Sequence, residues 1–303
     1  MFSVVIPLYN KELSISHTIQ SALDQTFQDF EIVIVNDGST DDGVMMVEKF
    51  NDQRIRIIHQ ENQGVSAARN KGVKEAKNEW IAFLDADDFW DLRYLETMSD
   101  LINDYPNAAM YGCAYTEYEN GIIHKQQTLP LPKLFRDYVA NYFSIAIEGL
   151  LYWTSSTIVS KERVLEIGGF DERIHIGEDL VLWFKLALDY DIVFYNIVLS
   201  YYNISAENRA MNNQLNFSKS FLKYTSDFKP YELVNDEFRR FINTFRFLKL
   251  LDLLQNYQVN NKNVKKFILN IDRQEIPIKW RVFISLPFKM KKIIVKYIYK
   301  YPT

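Results

Sequence analysis

Four apolar runs recur early in the chain: Ser3-Val4-Val5-Ile6-Pro7-Leu8, Glu31-Ile32-Val33-Ile34-Val35, Arg54-Ile55-Arg56-Ile57-Ile58 and Trp80-Ile81-Ala82-Phe83-Leu84. Each is too short for a helix. In the first, second and fourth, nearly continuous apolar character, rather than strict alternation, marks strands buried on both faces of a parallel sheet. Between them lie helical patterns, such as Ile15, Ile19, Ala22 and Leu23 on one face. Strands alternating with helices at this spacing predict an α/β fold, a mostly parallel, doubly wound sheet.

In such sheets ligands collect beyond the carboxyl ends of the strands. Here the first strand ends at Tyr9-Asn10-Lys11-Glu12 and the second at Asn36-Asp37-Gly38-Ser39-Thr40-Asp41. The segment Gln63-Gly64-Val65-Ser66-Ala67-Ala68-Arg69-Asn70-Lys71-Gly72 opens a short helix after the third strand. The fourth run empties into Asp85-Ala86-Asp87-Asp88. Asp85 and Asp87, two apart, face one side of an extended segment. Clustered carboxylates are hard oxygen ligands suited to Mg²⁺ or Mn²⁺, and a cation relieves their repulsion. The alternative is a turn in which Asp88 caps a helix starting near Asp91, which accounts for one aspartate of the three. No glycine-rich dinucleotide fingerprint follows the first strand, and no phosphate loop ending in Gly-Lys-Ser/Thr occurs. A nicotinamide-type dehydrogenase and a P-loop enzyme are thereby disfavoured.

Beyond Trp90 the pattern predicts a helix over 91–105, a strand near 109–115 and a hairpin turn at Glu119-Asn120-Gly121. Residues 124–150 read as loop plus one helix. A strand at 157–159 and a helix over 161–167 follow, the helix ending at Gly168-Gly169. In Gly177-Glu178-Asp179-Leu180, the two acids open another helix, where its dipole favours negative charge. After about Ser205 the chain reads as helical, with a stripe of Phe238, Phe241, Ile242, Phe245, Leu248, Leu251 and Leu254. The sequence divides into an α/β domain over 1–205, with halves 1–105 and 106–205, and a helical region over 206–303.

The single cysteine, Cys113, excludes an intrachain disulfide and a Cys-rich zinc site and suits a reducing, cytoplasmic setting. No signal peptide precedes the first strand, and no window is apolar enough for a transmembrane helix. Net charge is −4, yet residues 276–303 hold seven basic and no acidic side chains, leaving −11 on residues 1–275. An acidic body argues against nucleic acid as partner. The tail interleaves its lysines with Trp280, Phe283, Phe288, Tyr297, Tyr299, Tyr301 and aliphatic residues, and Pro287 divides it. That composition predicts peripheral attachment to an anionic membrane surface, or a helix docked on the rest of the chain with its lysines in water.

Five pieces together resemble the family 2 glycosyltransferases of GT-A fold, of the bacterial surface-polysaccharide type. They are Val5-Ile6-Pro7-Leu8-Tyr9-Asn10, Val35-Asn36-Asp37-Gly38-Ser39-Thr40-Asp41, Asn62-Gln63-Gly64 with Ala68-Arg69-Asn70, Leu84-Asp85-Ala86-Asp87-Asp88 and Gly177-Glu178-Asp179. They stand in the family's order over residues 3 to about 200; the likeness does not extend into 206–303. The resemblance implies an inverting transfer of a hexosyl or N-acetylhexosaminyl group from a nucleotide diphosphate-sugar, UDP before other nucleotides, to a glycan or lipid-linked acceptor hydroxyl. It implies Mn²⁺ or Mg²⁺ on Asp87 with Asp85 in support, Asp85 holding the donor ribose as the alternative. By the same resemblance Pro7 and Tyr9 border the base, Asp37 accepts the imide N–H of uracil, and Arg69 faces base or phosphates. Asp179 is then the general base, with Glu178 beside it as second choice. A sugar-1-phosphate nucleotidyltransferase needs a glycine-rich basic loop that Leu8-Tyr9-Asn10-Lys11 does not supply. A non-catalytic scaffold of the same fold is expected to have lost one of these acids, and all are present.

Overall fold

The computed structural model describes residues 1–124, 129–209, 217–256, 260–276 and 278–300. Their contacts separate two units, Met1–Glu172 with Glu178–Arg209, and Arg173–Gly177 with Ala210–Thr303.

The first unit begins with β1 (Phe2–Leu8), α1 (Ile15–Leu23), β2 (Phe30–Asp37), α2 (Gly43–Glu48), β3 (Ile55–Gln60), α3 (Val65–Glu75) and β4 (Trp80–Phe83). There follow β5 (Phe89–Trp90), α4 (Tyr94–Asp104), β6 (Met110–Glu119), β7 (Ile122–Ile123), β8 (Arg136–Tyr138), α5 (Tyr142–Ala146), β9 (Thr157–Ser160), α6 (Lys161–Glu166), α7 (Glu178–Asp189) and β10 (Ile192–Asn203). One sheet orders them β3-β2-β1-β4-β9-β6-β10-β5, with β7 on β6 and β8 on β10. The block β3-β2-β1-β4 and the pair β6-β10 run parallel, while β9 joins the two antiparallel.

Alternate residues of the central strands serve opposite faces. Val4, Ile6, Leu8, Ile32 and Ile34 enter one core with α1 and α4. Val5 meets α3 on the other face, and Phe83 packs there against Phe170 and Trp183. The sheet is therefore doubly wound, as expected. Pro7 fits a central strand because β1 has outrun β4 at that level: the last bond between them joins Leu84 N–H to the Val5 carbonyl.

Three expectations are corrected. The helix after the aspartates starts at Tyr94, and Asp88 caps nothing there; Phe89-Trp90 instead adds a short strand to β10. β10 has no counterpart in the sequence reading, although it pairs with β6 along nearly its whole length. The segment 124–150 contributes β8 as well as α5. The hairpin turn is present: Asn120 and Gly121 both take positive φ, 48° and 90°, between paired Glu119 and Ile122.

The second unit contains α8 (Lys229–Glu232), α9 (Asp236–Asn256), α10 (Asn261–Ile268), α11 (Ile278–Ser285) and α12 (Phe288–Lys300). Pro287 separates the last two, as its missing N–H requires. Phe238, Phe241, Ile242, Phe245 and Leu254 of α9 are buried, but Leu248 is exposed, and Arg246, Leu250 and Leu253 are buried as well. A seven-residue spacing drifts round a straight helix of 3.6 residues per turn, which carries Leu248 to the surface. Arg246 is fully buried and meets Glu232 at 2.8 Å. Among the described residues no helix is long and apolar enough to cross a membrane.

The closest approach in the first unit is Gly72 of α3 against β1: a Cβ there would lie 2.3 Å from Val5 Cγ1. Val5 is pinned in the central strand and cannot withdraw. Overpacking costs about 1–3 kcal/mol, and the helix propensity gained from alanine returns about 1. Gly72→Ala is expected to lower Tm by a few degrees in calorimetry; an unchanged or raised Tm would show that α3 stands off from β1.

Candidate active site

The site is built at the carboxyl ends of β1, β2 and β4 and at the start of α7. Its centre is Arg69, in the first half of α3, whose side chain is 4% exposed. Nη2 lies 2.6 Å from Asp85 Oδ1, and Nη1 lies 2.7 Å from Glu178 Oε1. The guanidinium also sits 5.3 Å from the centroid of the Phe170 ring. A buried arginine needs counter-charges, and it finds one from the aspartate run and one from the α7 acids. Sequence reading left Arg69 facing base or phosphates; the structure spends both terminal nitrogens on carboxylates. The ends of the guanidinium thus tie two motifs over ninety residues apart in sequence into one assembly.

Asp87 lies on the same loop as Asp85, its side chain 13% exposed, with Oδ2 2.5 Å from Lys11 Nζ. Lys11 also donates to the Glu207 carbonyl at 2.5 Å. Burial pushes the Asp87 carboxyl above its ordinary range, and the charge of Asp85 adds to this, while Lys11 opposes both. Asp85 and Asp87 therefore form a crowded pair of hard oxygen donors in which a divalent cation would relieve repulsion. Among the described residues no cluster of three or more His, Cys, Asp or Glu side chains is arranged to hold a metal. Two carboxylates match the needs of Mg²⁺ or Mn²⁺ where substrate phosphates and water complete the shell.

Asp88 is buried and belongs to a different network. Its Oδ2 accepts from Ser155 Oγ at 2.6 Å and Trp153 Nε1 at 3.2 Å, and its Oδ1 accepts from Asn203 N–H at 3.1 Å. Burial, with Asp87 and Asp85 nearby, drives its carboxyl well upward, and the Ser155 and Trp153 hydrogen bonds counter that. Ser155 Oγ in turn accepts from Asp85 N–H. The stretch Trp153-Thr154-Ser155 thus reaches three acids, because Thr154 Oγ1 donates to Asp179 Oδ2 at 3.2 Å.

Asp179 and Glu178 open α7, Glu178 buried and Asp179 half-buried. Leu180 N–H adds a 2.8 Å bond to Asp179 Oδ1. Burial and the Glu178 charge raise the Asp179 carboxyl to about 6, against the pull of Arg69. Glu178 is ion-paired to Arg69, and Asp179 is the acid whose carboxyl is raised. Trp153 stands against Tyr202 and Tyr115, centroids 4.4 and 5.3 Å away, and gives this side an aromatic wall.

Asp37 is 3% exposed and binds its own chain: Gln60 Nε2 and Gln63 N–H donate to Oδ1, and Gly64 N–H to Oδ2, each at 2.8 Å. It fixes the loop that starts α3. Tyr9 is exposed at 41%, beside half-buried Pro7. The Gly168-Gly169 turn, both residues at positive φ, seats Asn70, whose amide bonds both main-chain groups of Phe170. It is a docking turn for α3. His175 is exposed and belongs to the second unit.

Sequence reasoning named the acids and Arg69 but missed Lys11, Thr154 and Ser155. A lysine right after the first strand and the hydroxyl run Thr154-Ser155-Ser156 before β9 were the available signals.

The sequence profile described as Glycosyl transferase family 2 matches residues 3–166. An uncharacterized glycosyltransferase of Rickettsia felis is 29% identical over 285 residues, which is 90% of this chain and 45% of that protein. The minor teichoic acid biosynthesis protein GgaA of Bacillus subtilis is 29% identical over 316 residues, 97% of this chain and 67% of its own. The chain thus spans less than half of the Rickettsia relative. Among solved structures, S. aureus TarS 1-349 in complex with UDP-GlcNAc superposes with a TM-score of 0.76 at 20% identity, covering 99% of this chain and 91% of that one. That likeness concerns the fold.

Proposed function

Because the chain belongs to glycosyl transferase family 2, we propose that it moves a sugar from a nucleotide diphosphate-sugar to an acceptor hydroxyl with inversion at the anomeric carbon. Residues 1–205 carry the chemistry in this reading, with the donor on 1–105 and the acceptor on 106–205. The observation that carries it is the Arg69 bridge, which sets an acid raised to about 6 beside the Asp85–Asp87 pair.

The donor is a UDP-sugar. The TarS complex with UDP-GlcNAc supports this, as does a base side bordered by Pro7, Tyr9 and Asp37. Asp37, besides holding its loop, offers uracil a remaining lone pair for the imide N–H. Asp85 and Asp87 would hold Mn²⁺ or Mg²⁺, which when bound would neutralise the charge that gathers on the departing diphosphate. Lys11 adds a fixed positive charge at the same place. On the opposite side Asp179 takes the proton of the acceptor hydroxyl as its oxygen bonds to the anomeric carbon. The bond from that carbon to the diphosphate oxygen breaks in the same step, and the nucleoside diphosphate leaves. Glu178 and Arg69 position Asp179 electrostatically. The acceptor is a glycan or lipid-linked sugar of a bacterial surface polymer, in line with the teichoic acid role that GgaA's name carries, and the enzyme works in the cytoplasm at the inner face of the membrane.

The proton role gives a pH dependence. Asp179 acts deprotonated, so kcat/KM is expected to fall as pH drops through about 6. Asp179→Asn removes the base and lowers kcat on the order of 10²–10⁴-fold. Glu178→Gln deletes the neighbouring negative charge that raises Asp179, so its acidic limb moves to lower pH. A pH–rate series in which Asp179→Asn retains wild-type turnover contradicts the assignment.

Asp87→Ala removes a carboxylate that no neighbouring side chain replaces. Titration calorimetry is expected to show Mn²⁺-dependent UDP binding in the wild type and none in the variant. Equal Mn²⁺ dependence in both would place the cation elsewhere.

A further inference from the structure

The second unit carries a surface that the transfer chemistry does not use. In α11, Phe283 and Ile284 are buried and Trp280 packs on Phe247 of α9, centroids 4.9 Å apart. In α12, Val295 and Lys291 are buried, the lysine donating to the Leu286 carbonyl. The outward faces are apolar where water alone would favour polar groups. Ile278 is 73% exposed, Val282 59%, Met290 48% and Ile293 67%. α12 thus turns a lysine inward and isoleucine outward, the reverse of a helix that meets only solvent.

Charge frames these side chains. Lys279 and Lys289 are exposed and Lys292 is half-buried, and these lie one or a few residues from the apolar four. Residues 260–303 hold eleven basic side chains and two acidic ones. Both acids are engaged, Asp272 with Gln274 N–H and Glu275 with Arg239. The side chains from Lys296 to Lys300, including Tyr297 and Tyr299, and the whole of Tyr301 lie outside the described residues.

We propose that the exposed faces of α11 and α12 bind the surface of an anionic bilayer. Ile278, Val282, Met290 and Ile293 enter the boundary between headgroups and acyl chains, while Lys279, Lys289 and Lys292 meet lipid phosphates. The observations favour this occupant over a second copy of the chain, because two such faces would bring like charges together. Lying on the surface is the available mode, since among the described residues no helix is fit to span. The surface is read from the second unit alone; it rests on the proposed function only in giving a lipid-linked acceptor its place.

The test is co-sedimentation of the full chain with vesicles, without donor or acceptor. Wild type is expected to bind phosphatidylglycerol-containing vesicles and not pure phosphatidylcholine. Lys279→Gln/Lys289→Gln/Lys292→Gln is expected to lose at least about ten-fold in affinity, and Ile278→Asn/Val282→Asn/Ile293→Asn to lose binding comparably. Five of the six substituted side chains are exposed and Lys292 is half-buried, so both variants should keep the wild-type Tm, which is measured alongside. Failure of wild type to bind, or wild-type affinity in both variants, overturns the proposal. So does a dimer in ultracentrifugation that the apolar substitutions abolish. UDP-sugar hydrolysis is followed in the same samples: hydrolysis without vesicle binding faults this surface alone, and vesicle binding without hydrolysis faults the catalytic reading alone.

Discussion

The arrangement depends on one buried cation. Arg69, with both terminal nitrogens in ion pairs at 2.6 and 2.7 Å, is the group without which Asp85 and Glu178 would face each other as uncompensated charges. Breaking a buried pair by removing one partner typically costs about 3–5 kcal/mol, so the bridge also holds the loop after β4 to the start of α7. The Gly168-Gly169 turn seats Asn70, next in sequence to Arg69, and sets Phe170 beneath the guanidinium. Three separated segments thereby converge on one side chain.

Around that bridge the carboxylates sort by environment. Asp85 and Asp87 keep partial exposure and a lysine, which suits cation and diphosphate. Asp88, next to Asp87 in the chain, is sunk among Ser155, Trp153 and Asn203 N–H and serves to join the loop to β10. Asp179 is shielded enough to titrate near neutrality. Equal residue types take different roles because their desolvation and neighbours differ. In the second unit the same physics reads in reverse, with a lysine inside and isoleucines outside.

The sequence was most legible where burial is symmetric. β1, β2 and β4 write nearly unbroken apolar runs, and the doubly wound α/β architecture expected from them is the one the chain adopts. β10 was hidden because Asn196, Ser200 and three tyrosines interrupt its pattern, and its pairing with β6 shifts register twice. Asp88 looked like a helix cap because caps are local, whereas its partners Ser155 and Asn203 stand 67 and 115 residues away. Lys11 was missed for the same reason, its partner Asp87 being 76 residues off. The acids themselves stand out in the sequence, but Arg69's engagement with Asp85 and Glu178 depends on distances that no spacing in the chain encodes.

The proposed transfer depends on Arg69 acting through carboxylates rather than on the donor. The most direct measurement is the pH dependence of kcat/KM for Arg69→Lys and Arg69→Gln, alongside UDP affinity by calorimetry. Loss of the positive charge that lowers Asp179 is predicted to move the acidic limb of Arg69→Gln above the wild-type value near 6, with Arg69→Lys between them. An unchanged limb together with a large loss of UDP affinity would contradict the account and put the guanidinium on the nucleotide instead.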